Sequence, residues 1–205
     1  MALRIRFRLS EPEKSGLVPP SAYGCKQMPR EILPDSLRKG LDVVFVGTAP
    51  GHRSAEEGVY YAHPGNRFWK TLAKLGLTPE GFDASQYRAL AARGIGFTDV
   101  CKTQKGRDHA ITQYDRPGLS RKIKTYRPRI VAFTSKKAAS VWYARATKDI
   151  AYGRQADRAD SGPIVFVLPS PSGAASGHWQ IKPWRGLANL LAKRPRLSRT
   201  ARSPG

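Results

Sequence analysis

The run Val43-Val44-Phe45-Val46 restricts the fold of this chain more than any other feature. Consecutive apolar residues at strand length, with no polar alternation, suit a strand covered on both faces rather than one with a wet side. Ile130-Val131-Ala132-Phe133 and Ile164-Val165-Phe166-Val167-Leu168 repeat the pattern, and residues 96–101 read as a shorter strand. Helix-period segments lie between them. Residues 67–75 place Phe68, Leu72 and Leu75 on one face with Gly76 as a C-cap, and residues 83–92 start at an Asp83 N-cap and turn Tyr87, Leu90 and Ala91 inward. Further helices are expected at 119–126, at 136–146 behind a Thr134 or Ser135 cap, and at 183–192. Strands alternating with helices imply mainly parallel pairing with helices on both sheet faces, which is a single three-layer α/β/α domain.

The chain has 205 residues, room for one well-buried core. Residues 1–36 are rich in Pro, Lys and Arg, with a short strand expected at 3–9, and read as a basic arm ahead of a domain at 37–192. Residues 193–205 lack apolar periodicity and read as a disordered basic tail. Lys and Arg number 36 against 15 Asp and Glu, a formal net charge of +21, so a polyanionic partner is expected. No apolar run approaches the roughly 20 residues of a spanning helix, which favours nucleic acid over a membrane. Cys25 and Cys101 lie far apart without CxxC spacing, which fits a reducing, cytoplasmic location.

The first strand ends abruptly at Gly47-Thr48-Ala49-Pro50-Gly51, and the strand at 164–168 feeds Pro169-Ser170-Pro171-Ser172-Gly173. In open α/β sheets ligands sit beyond the carboxyl ends of the strands, and the two loops would face each other across one crevice if their strands were neighbours. The loop at 102–108, with Lys102, Lys105 and Arg107, is placed to touch phosphates. The GTAPG sequence lacks the lysine and spacing of a P-loop, which counts against a small-molecule α/β enzyme that uses this loop to hold phosphate.

The combination of GTAPG, YYAHPGNRFW at 60–69, GFTDV at 96–100 and LPSPSG at 168–173 resembles the uracil-DNA glycosylase superfamily, nearest its mismatch-specific branch. The resemblance spans about residues 37–191. It implies a four-stranded, mainly parallel sheet and a monomeric enzyme that needs no cofactor or metal. Such an enzyme would flip uracil out of double- or single-stranded DNA and hydrolyse its N-glycosidic bond. The mismatch-specific branch has asparagine at the third position of the first loop, where it holds the attacking water. Here that residue is Ala49, whose methyl group cannot orient water. Another branch, acting on hypoxanthine, also has an apolar residue there and draws its polar group from the segment matching YYAHPGNRF. By that comparison the substitute is Asn66, and the bulk removed at Ala49 extends the expected bases to hypoxanthine or xanthine.

Asn66 offers an acceptor and a donor, but an asparagine before a helix is also an N-cap. Asp99 is the rival, a better base that is equally able to cap its own loop. Glu56, Glu57 and His63 rank behind as loop-bracing groups. By the resemblance, Tyr61 stacks on the extruded base, or else packs in the core. Backbone around Gly47, Thr48, Ala49 and Tyr61 grips its edge, and Ser170 replaces a stronger donor to the departing base. Ser172, Gly173, Ala174, Ser176 and His178 are the expected DNA contacts, with Ala174 too small to be an effective wedge. A catalytically inactive lesion-binding module is the alternative that Ala49 leaves open.

Overall fold

The computed structural model describes residues 30–156 and 162–193. The expected strand at 3–9 and the tail at 194–205 lie outside the described residues. Strands β1 (Val43–Gly47), β2 (Ile95–Asp99), β3 (Ile130–Phe133), β4 (Gly153–Arg154) and β5 (Ile164–Val167) form one sheet in the order β2-β1-β3-β5-β4. The first three pairings along that order are parallel and only β4 runs antiparallel. The expected four-stranded parallel sheet is therefore present, and a fifth strand is added. It arises where the sequence reads as a polar excursion, because two residues with an exposed arginine carry no apolar pattern to announce a strand. Strands β1 and β5 are not neighbours, since β3 lies between them.

Successive residues of β1 explain the layering. Val43 and Phe45 enter one core with Phe68, Leu72, Tyr87, Leu90, Phe97 and Trp184, while Val44 and Val46 enter the other with Leu119, Ile123, Ala138 and Ala139. Because both faces are buried, the strand needs no polar alternation. The first core is covered by α2 (Phe68–Lys74), a 3₁₀ helix at Ala84–Arg93 and α5 (Lys182–Ala192), and the second by α3 (Arg116–Tyr126) and α4 (Lys136–Tyr143). Asp83 and Ser135 cap their helices as expected, accepting from Ser85 N and Ala138 N. A further helix, α1 (His52–Glu57), occupies what reads as polar loop and ends at Gly58, whose φ of 68° is the left-handed geometry glycine adopts at least cost.

Residues 30–36 pack as part of the domain rather than as an arm. Leu33 is fully buried, Ile32 N donates to Lys102 O, and Ser36 bridges antiparallel to Phe97 on β2.

Candidate active site

Four parallel strands deliver their following loops to one end of the sheet, and backbone bonds knit these loops together. Val100 N donates to Gly47 O at 2.9 Å, Cys101 N to Thr48 O at 2.8 Å, and Thr134 N to Val46 O at 3.0 Å, so the ladder of β1 continues into the GTAPG loop from both sides. Gly106 N then donates to Pro50 O at 2.9 Å, folding the 102–108 loop over it. The loop after β3, which sequence reasoning treated only as a helix start, fills the place expected for PSPSG. Thr48 Oγ1 lies 3.0 Å from Ser135 Oγ, and Tyr61 Oη 3.1 Å from Thr134 Oγ1. Asp108 joins this group through the Thr48 hydroxyl; burial of its carboxyl raises its pKa, opposed by that hydrogen bond. The signal available in sequence was position alone, since Thr134 and Ser135 end a buried strand as Gly47 does.

Asp99 stands at the centre. It is the β2 residue paired in register with Gly47, it is 4 % exposed, and its Oδ2 has no hydrogen-bond partner. Glycine at 47 is what makes room: a Cβ there would collide with Asp99 Oδ1 and come within 3.5 Å of Tyr61 Oη. Burial pushes the Asp99 carboxyl up to about 7, with Lys102 and Lys122 pulling the other way and Asp35 adding to the rise. Burial, with the Asp99 charge beside it, also holds the Tyr61 phenol in its neutral form. Tyr61 has a left-handed backbone, φ 56°, a conformation that costs a tyrosine of order 1 kcal/mol. Its ring lies on Phe68 at 3.9 Å and 14°, so one π-face is already covered.

Asn66 sits on a different element. Its Oδ1 accepts from Phe68 N at 2.9 Å and its own N–H donates to His63 O at 2.8 Å, so its side chain bonds the first turn of α2. The Ser-Pro loop reaches this segment, not GTAPG. Arg67 N donates to Pro171 O at 2.8 Å, and a Cβ on Gly173 would be 3.2 Å from Gly65 O. Ser170 is half-buried and its Oγ accepts from Ser172 N at 3.3 Å. Ser172 is half-buried, and Gly173 and Ala174 are exposed. The side chains of Ser176 and His178 lie outside the described residues. The sequence candidates thus fall into an Asp99 group and an Asn66 group, linked by the Tyr61–Phe68 stack.

Lys102 requires a correction. Instead of facing solvent for phosphate contact it is 7 % exposed, with its ammonium bonded to Leu33 O, to Asp35 Oδ1 at 2.6 Å and to Tyr60 Oη at 3.2 Å. Asp35 in turn meets Lys122 at 2.5 Å. Burial pushes Asp35 up, but the two lysines outweigh it and hold the carboxyl below its ordinary value. Lys105 does project from the loop and is exposed. Glu57 pairs with Arg53 along α1, so it braces a helix rather than the loop expected there, while His63 Nδ1 accepts from Gly65 N and braces its loop. No helix among the described residues is long and apolar enough to cross a membrane.

The family model of the uracil DNA glycosylase superfamily matches residues 34–188, through all four parallel strands and the loops that follow them. The chain belongs to the uracil DNA glycosylase superfamily. Among solved structures it is similar to the solution NMR structure of a candidate uracil DNA glycosylase from Methanosarcina acetivorans. The two are 21 % identical with a TM-score of 0.53, over 80 % of this chain and 98 % of that one. At that identity the likeness is one of fold. The superfamily match begins at residue 34 and so takes in Ser36, which bridges to β2.

Proposed function

We propose that this member of the superfamily is a monofunctional DNA glycosylase of base excision repair. It would flip uracil from double- or single-stranded DNA, with hypoxanthine or xanthine as further substrates, and leave an abasic site. The observation that carries the reading is the Asp99 carboxyl: buried at the carboxyl end of the sheet, held against Gly47 and Tyr61, with one oxygen unspent. Where Ala49 has no polar group, Asp99 supplies the acceptor. With a pKa near 7 it is poised for proton transfer at neutral pH.

In the reaction the C1′–N bond breaks, the base leaves with the bonding electrons, and the sugar develops positive charge. Water adds through oxygen at C1′, and its proton passes to Asp99. The departing base is stabilised by the Ser170 hydroxyl and is protonated from solvent, while Asp99 returns its proton to solvent. Backbone around Gly47, Thr48 and Ala49 grips the base edge, and the free face of Tyr61 stacks on it. Asn66, with its Oδ1 already bonded to Phe68 N, positions α2 and the Ser-Pro loop while its amide N–H groups remain available to the strand. Ser172, Gly173, Ala174 and Lys105 meet the DNA backbone.

The test is incubation with labelled oligonucleotides bearing uracil, hypoxanthine or xanthine, single-stranded and paired, followed by alkali. Strand breaks at the lesion are expected, with Asp99→Asn slowing them about 100-fold or more. Intact strands with retained binding would instead select a lesion-binding module, the reading that the absence of a water-holding side chain at Ala49 favours.

A further inference from the structure

A groove of about 560 Å³ runs along α2, walled by Pro64, Arg67, Lys70 and Lys74 on one side and by Trp179 and Ile181 on the other. Its polar character is one-sided. Three cations line it at spacings of three and four residues, which puts them on one helix face, and no carboxylate does. None of the three is in an ion pair among the described residues. Arg67 Nη1 is buried with no hydrogen-bond partner, and the guanidinium lies 5.6 Å over the Trp179 ring. A buried guanidinium nitrogen without an acceptor is costly unless a ligand supplies one, and a cationic row without counter-carboxylates calls for an anionic ligand.

The shape identifies the anion. Arg67 to Lys74 spans seven residues, about 10 Å of helix rise, long enough for the three cations to meet more than one phosphate of an extended strand. Phosphates along a rail with an indole in the opposite wall is the arrangement that tracks a single strand. The cations follow the backbone, and the aromatic, with the arginine plane against it, receives an unpaired base. The groove also joins the candidate active site, because Arg67 N bonds the Ser-Pro loop at Pro171 O and Asn66 lines its upper end.

We propose that this groove binds a single-stranded stretch of DNA flanking the extruded nucleotide, with Arg67, Lys70 and Lys74 on the phosphates and Trp179 under a base. The assignment rests on the chain acting on DNA and makes unpaired strands the preferred substrate. It assigns to α2 a binding role separate from the chemistry at Asp99.

The test reads binding alone, so it is independent of cleavage. Anisotropy of a labelled, undamaged single-stranded oligonucleotide is titrated with the full chain across a salt series, and a blunt duplex of the same sequence is run beside it. Lys70→Ala/Lys74→Ala is expected to shrink the single-strand salt slope by about 1.4, at ~0.7 for each phosphate left without its lysine. Trp179→Leu, which keeps an apolar side chain against Trp184, is expected to weaken single-strand binding about fivefold or more without changing the slope, because stacking releases no counterions. An unchanged slope in the lysine variant overturns the proposal. So does a loss on the duplex equal to that on the single strand in both variants. Failure of lesion cleavage with these binding results intact would count against the glycosylase reading and leave the groove standing.

Discussion

Asp99→Asn separates a carboxyl poised for chemistry from one that merely fills space, and it does so through pH. The folded carboxyl has a pKa of about 7 against an ordinary value of 3.8. The native state therefore binds this proton more tightly than the unfolded chain, so the group's contribution to stability falls as pH rises from about 4 to about 7 and is flat above. Each unit in that window carries about 1.4 kcal/mol. Between pH 5 and pH 8 the titration covers two such units, and the wild type should lose about 2–3 kcal/mol that the isosteric amide does not. The charged groups facing Asp99 do not blur the window: Asp35 is held below its ordinary value, and Lys122, despite burial, is held above its own by Asp35 and Glu31. Urea denaturation of both proteins at pH 5, 6, 7 and 8 gives the comparison. The stability difference, variant minus wild type, should grow by about 2–3 kcal/mol, or roughly 5–10 °C in Tm for a domain of this size. Lesion cleavage should move oppositely in the wild type, rising with pH to a plateau above about 7, while the variant stays slow and flat. A stability difference independent of pH would refute the buried, proton-holding carboxyl, and a variant cleaving at wild-type rates would remove Asp99 from the reaction.

Gly47→Ala drives a methyl group into Asp99 Oδ1, and the overpacking should cost about 1–3 kcal/mol by denaturation together with most of the cleavage activity. Asn66→Ala removes the acceptor for Phe68 N and should cost about 1 kcal/mol, whereas Asn66→Ser keeps an oxygen there. Recovery of both stability and cleavage by serine would make Asn66 a capping residue only, and recovery of stability alone would place its amide in the site. Lys102→Met breaks a buried pair, but Lys122 still faces Asp35, so the loss should be near 2–3 kcal/mol rather than the 3–5 of an abandoned charge. The salt dependence of DNA binding should be unchanged in that variant.

The four parallel strands and the helices packed on them were legible because burial on both sheet faces leaves unbroken apolar runs, and because Asp83 and Ser135 are cap residues whose chemistry is local; α1, which buries only Ser54, was not. Strand β4 was not, since Gly153 and Arg154 pair through backbone and carry no side-chain pattern. The candidates Gly47 and Asp99 are adjacent because parallel register aligns the ends of β1 and β2, and the residue choice at 47 makes sense only with Asp99 in view. The inward turn of Lys102 was hidden for the converse reason. In sequence it sits in a basic loop beside Lys105 and Arg107, and its partner Asp35 lies 67 positions away. The strand order escaped as well, because sequence sets each strand's burial but not which pair flanks β3, so Thr134 and Ser135 were missed as neighbours of Tyr61 and Thr48.

The segment at 30–36 acquires a further meaning from its place in the sheet. Strand β2 is an outer strand, and an outer strand offers unpaired backbone groups as a template to any other extended chain. Ser36 occupies part of that template by exchanging both backbone bonds with Phe97, Leu33 is buried beside it, and the Lys102 ammonium fastens the segment through Leu33 O and Asp35. On the opposite side β4 covers β5 with a pairing too short to be extended. The segment is thus a guard against edge-to-edge self-association. A shortened chain beginning at residue 37 would lose it and is expected to self-associate through β2, which light scattering across a concentration series would detect.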